Sequence, residues 1–216
     1  MTQHDTAQNR SGRANRVAPD GSLHAVASRG LVWGNRGPLL GRSGEPVRHS
    51  RGQGWVCCVL DFRDRHRDQW HPGRLTELYF LDEATALAAG HRPCAECRRA
   101  DHQRFRAAWA AVFPQDSSAA DVDRRLHAAR LVAPGEHRTH EAPLRGLPDG
   151  TFVEHDDRFW LVHGAQVLAW SFGGYTDARP RTSLPAEVRV RTPEPTVAVL
   201  RAGFEPAYHP SAHHGL

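Results

Sequence analysis

Residues 79–99 read YFLDEATALAAGHRPCAECRR, a short helical pattern that runs directly into a pair of cysteines. Asp82 is a good helix N-cap, and Glu83 to Ala89 place strong helix formers behind an acidic first turn. Gly90 suits the left-handed conformation that closes such a helix, and Pro93 prevents its resumption. Cys94 and Cys97 follow at once. Two thiolates separated by two residues converge on one centre when the backbone between them turns tightly. Zinc takes that arrangement in a tetrahedral shell with Zn–S bonds of roughly 2.3 Å. A single C-x-x-C supplies half a ligand set, and the chain's other two cysteines are Cys57 and Cys58.

Those two lie in Trp55 to Phe62, WVCCVLDF, whose β-branched and aromatic content reads as a strand. Alternation puts Val56, Cys58, Leu60 and Phe62 on one face and Trp55, Cys57, Val59 and Asp61 on the other. A regular strand therefore offers one thiol to an ion and leaves the other to pack as a small hydrophobe. A kink between them would offer both. In the first case a nitrogen or a water completes the shell, with His66, His71 and His102 within reach along the chain.

The segment 55–99 resembles the Ada-type metal-binding domain of bacterial alkylation-response proteins. The shared pattern is an aromatic-rich strand (Tyr79, Phe80), a short Ala/Leu helix (Ala84 to Ala89) and Gly-x-Arg-Pro-Cys-x-x-Cys from Gly90 to Cys97. The resemblance implies a small zinc-bound fold that contacts the DNA backbone, with Cys57, Cys58, Cys94 and Cys97 as the metal ligands. The family's first cysteine pair is spaced C-x-x-x-C. Here the two are adjacent, so the resemblance alone does not carry the family's methyl-acceptor role over to one of them.

Around this segment the pattern is mixed, and an α+β class follows. A helix is expected from about Arg98 to Phe113, with Phe105, Trp109 and Val112 on one face, and another from Ser118 behind a capping box. Residues 134–148 read as a loop holding His137, His140 and Glu141. Three short strands at 151–155, 158–162 and 166–170 form a meander, a polar loop runs to Pro185, and a further strand covers 187–191. The expected organisation is a basic arm over 1–50, a zinc module over 51–113 and a β-rich part over 114–216. Leu87, Ala89, Gly90 and Pro93 recur at the same spacing as Leu200, Ala202, Gly203 and Pro206, a pattern shared by a degenerate repeat and by generic helix-stop chemistry.

All 28 basic residues are Arg, and the chain has neither Lys nor Ile, so part of the Arg abundance reflects codon usage. Distribution says more: residues 1–54 hold eight Arg against three acids, while the remainder is close to neutral. No run of 18 apolar residues occurs, and the N-terminal residues lack the charged-then-apolar pattern of a signal segment, so a cytoplasmic protein without membrane contact is expected. In that compartment four cysteines are metal ligands or reduced thiols rather than disulfides. The sequence reading is thus a zinc-stabilised nucleic-acid-binding protein linked to DNA repair, with DNA favoured over RNA. Arg92, Arg98, Arg99 and the arm would contact phosphates. The alternatives are an enzyme (a zinc-thiolate methyl acceptor, or a hydrolase built on His137, His140 and Glu141) and a zinc-stapled interaction scaffold.

Overall fold

The computed structural model describes residues 13–63 and 70–213 and has an α+β architecture. The first half contributes β1 (Arg16–Val17), β2 (Leu23–His24), β3 (Val32–Asn35), β4 (Val56–Val59), β5 (Leu78–Phe80), α1 (Glu83–Ala88) and β6 (Arg92–Pro93). These strands form a six-stranded sheet in the order β2-β1-β5-β3-β4-β6. Within it β3 runs antiparallel to β4 and β5, and β6 runs parallel to β4.

The described part of the expected arm is therefore integral to the sheet. Val17 and Leu39 are buried in one apolar cluster with Cys57, Leu78 and Phe80. The apolar centre of 29–37, set between glycines, reads as a short strand and turn and is β3, whereas β1 and β2 escape sequence reading because each is two residues long. At Gly34 an added Cβ would lie 2.3 Å from the Val56 carbonyl oxygen, so this glycine permits strand approach rather than a turn.

Helix α1 forms as its caps dictate: Asp82 Oδ1 accepts from the Thr85 amide at 2.9 Å, and Gly90 adopts a φ of 82°. The chain continues through α2 (Arg99–Val112), α3 (Ala119–Arg130), β7 (Leu131–Ala133), β8 (Glu136–His137) and β9 (His140–Pro143). It ends with β10 (Phe152–His155), β11 (Arg158–His163), β12 (Gln166–Ser171), β13 (Gly174–Pro180), β14 (Glu187–Val190) and α4 (Glu194–Arg201). The second sheet has the order β13-β12-β11-β10-β14-β9. Two of its strands, β9 and β13, fall where the sequence predicts loops. Both are edge strands, and their sequences, HEAP and GYTDARP, lack hydrophobic alternation.

The cores cross the expected boundary at 113. Leu87, Phe105 and Trp109 pack with Val122, Leu126, Val199 and Phe204. Leu81, Ala84 and Ala88 pack with Phe152, Leu161 and Tyr175. The Tyr175 hydroxyl also donates to Asp82 Oδ2 at 2.7 Å, which fastens the second sheet to the α1 N-cap. No helix among the described residues is long and apolar enough to cross a membrane.

A polar cluster surrounds Trp55, itself fully buried. The guanidiniums of Arg36 and Arg130 lie over its ring, 4.5 and 3.7 Å from the centroid, and both side chains are 0% exposed. A desolvated cation–π contact contributes about 2 kcal/mol. Burying one ion costs several kcal/mol even after relaxation. The stacking therefore offsets only part of the cost of two buried cations.

Gly90 combines two constraints, since its φ is 82° and an added Cβ would lie 2.5 Å from Arg130 Cδ. Gly90→Ala is expected to lower unfolding stability by about 1–3 kcal/mol, measured by chemical denaturation.

Candidate metal centre

In β4 the alternation is regular. Cys57 faces the core beside Val17, Phe80 and Ala86, and Cys58 faces the other way. Strand β6 lies parallel to β4 with Pro93 opposite Cys57, and the Cys94 amide donates to the Cys57 carbonyl at 3.0 Å. That pairing delivers the 94–97 turn beside Cys58. The turn closes when the Arg98 amide donates to the Cys94 carbonyl at 3.1 Å, and α2 begins. As a result Sγ of Cys58, Cys94 and Cys97 all lie within 4.8 Å of one another. Three such thiols can hold a metal ion. Among the described residues no other group of three or more His, Cys, Asp or Glu ligand atoms converges in this way.

The trio is electrostatically frustrated without a cation. A hydrogen bond from Cys58, helped by the amides of Cys97 and Glu96, lowers Cys94 to about 5 against the opposing effect of burial. Cys58, which makes that hydrogen bond, is pushed far up, and burial raises Cys97. One proton leaves readily, and the next two thiols then face a neighbouring negative charge. A dication would stabilise all three thiolates at once.

Cys57 does not join them. Burial, and then the nearby Glu83 carboxylate, push its thiol up to about 12. Arg98 Nη1 donates to its sulfur at 3.3 Å. Of the expected nitrogen ligands, His102 turns Nδ1 to the Pro93 carbonyl at 3.2 Å, and the exposed His71 turns Nδ1 to its neighbour Pro72 at 2.8 Å. His66 lies outside the described residues. His137 belongs to the Trp55 cluster, while His140 and Glu141 sit on edge strand β9.

Two of the three arginines expected to grip phosphate are interior. Arg92 makes a two-pronged pair with Asp123 at 2.7 and 2.8 Å, and Arg98 bridges Glu83 and Asp101, each at 2.8 Å. Only Arg99 is exposed. The acids that claim Arg92 and Arg98 come from α3, from α1 and from α2 itself.

The structure adds residues that sequence reasoning missed. Across the sheet, Cys58 pairs with Trp33 and Trp33 with Tyr79, so all three lie side by side on one face. With Phe62, Asp61 and Glu77 they line a pocket of about 340 Å³ whose wall includes all three thiols of the trio. Strand register alone creates this row, and no local motif signals it. Comparison with family models, with curated proteins and with solved structures found no match for this chain.

The geometry separates the adjacent cysteines by experiment. Cys58→Ser is expected to abolish stoichiometric metal binding, and Cys57→Ala to retain it, as measured by metal analysis after dialysis.

Proposed function

We propose that this protein is a zinc protein whose ion is held by Cys58, Cys94 and Cys97 at the wall of a binding pocket. The observation that supports this reading is the convergence of three sulfurs within 4.8 Å, contributed by a strand and a tight turn. The donor set favours zinc: soft thiolates suit it, whereas magnesium and calcium require oxygen ligands. The ion would tie β4 to the start of α2 and so contribute folding energy. Because the same sulfurs line the pocket, a molecule entering it past Trp33 and Tyr79 would reach the ion's remaining coordination position. Purified protein should carry about one zinc per chain. Chelation should lower its stability by several kcal/mol, and zinc should leave as pH falls because each ligating thiol must be deprotonated. Metal-free protein of unchanged melting temperature would refute the reading.

A second reading, binding to DNA, is favoured by the exposed side chains of Arg29, Arg42, Arg48, Arg51 and Arg63. None of these forms an ion pair among the described residues. Affinity for duplex DNA should fall linearly with log salt, and the Arg48→Glu, Arg51→Glu double variant should flatten that slope. An unchanged slope would remove the second reading.

A further inference from the structure

The Trp55 cluster holds two buried cations with unmet hydrogen-bonding capacity, on residues that the metal centre does not use. Arg36 Nη1 donates to the Gly21 carbonyl at 3.0 Å and meets His49 Nε2 at 3.2 Å, while its Nε and Nη2 have no partner. Arg130 donates to the carbonyls of Gly90 and Gln53 at 2.7 and 2.6 Å, and its Nε has no partner. Neither arginine is in an ion pair among the described residues. Fully buried guanidinium N–H groups without acceptors are rare in folded proteins.

Histidines complete the surroundings. His49 and His137 place their Nε2 atoms 3.3 Å apart, and His127 Nδ1 lies 3.0 Å from Arg130 Nη2. All three are partly exposed, so they form a rim between the buried guanidiniums and solvent. Burial first, and then the charge of Arg36, hold His49 down to about 4 and His137 down to about 2. The rim is thus neutral near pH 7, and the two arginine charges have no hydrogen-bonded counter-ion among the described residues, with Asp20 acting on Arg36 and Asp123 on Arg130 only through space.

We propose that Arg36 and Arg130 form a binding site for a phosphate group, entered past His49 and His137. A phosphate dianion matches the two cationic charges, and its terminal oxygens can accept from the three unpartnered guanidinium N–H positions, a pairing for which guanidinium geometry is suited. The site is assembled from the segment before β4, the end of α3 and the β7–β8 hairpin, so ligand binding would lock these three pieces together.

The test is calorimetric titration of inorganic phosphate into zinc-loaded, full-length protein, with chloride at matched ionic strength as the control. Saturable binding at one phosphate per chain is expected, with a melting temperature that rises with phosphate concentration. Arg130→Gln should weaken binding at least about tenfold, as expected for loss of a charge-assisted contact. Should that variant fail to fold, His49→Ala at the rim provides the reading and should weaken binding several-fold. A parallel titration with a nucleoside monophosphate distinguishes a phosphomonoester ligand, which would bind as well, from free phosphate, which would bind alone. Absence of saturable phosphate binding by the unmodified protein would overturn the proposal. So would wild-type affinity in a folded Arg130→Gln variant, or in His49→Ala where it stands in.

Discussion

The parallel pairing of β6 with β4 is the constraint on which the rest of the first half depends. It is only two residues long, yet it fixes Pro93 opposite Cys57 and so sets where the next four residues turn. Because side chains alternate along β4, the same pairing sends Cys57 into the core and leaves Cys58 facing Cys94 and Cys97. A one-residue slip of β4 would exchange the two thiols, bringing Cys57 to the face of Trp33 and Tyr79 and sending Cys58 into the core. Gly34, which allows Val56 to approach, and Gly90, which ends α1 against Arg130, are the backbone positions that hold this register.

Local chemistry was legible wherever it was self-contained. The N-cap of α1, its glycine stop, the capping box of α3 and the meander of β10 to β12 all rest on neighbours a few residues apart, and they form as their side chains dictate. The alternation argument was also local, and it placed one cysteine in the core. It could not say which one, because that depends on β3 and β6 packing on either side of β4. The edge strands β9 and β13 were hidden because HEAP and GYTDARP carry no hydrophobic alternation. Within 13–50, β3 falls inside the glycine-bounded stretch 29–37 that reads as a short strand and turn, whereas β1 and β2 were hidden because two residues show no period.

Electrostatic roles were the least legible. Arg92 and Arg98 look like surface cations beside a metal motif, but Asp123 lies 31 residues from Arg92, and Cys57 lies 41 residues before Arg98. A cation's partner is a property of the tertiary fold, so composition alone overstates the charge available at the surface. The opposite holds at Trp55, where Arg36 and Arg130 come together from distant segments and find carbonyls and an aromatic face but, among the described residues, no ion-paired acid. The geometry thus offers a half-buried cysteine trio that could hold a cation and, separately, the two buried guanidiniums for which an anion is proposed.

The central claim concerns which sulfurs meet the ion, and X-ray absorption at the zinc edge of the loaded protein measures it directly. Three sulfurs at about 2.3 Å with one lighter oxygen or nitrogen ligand are expected. A shell of four sulfurs would mean that Cys57 leaves the core to ligate, and a shell without sulfur would place the metal elsewhere. Either result would contradict the account given by the geometry of β4.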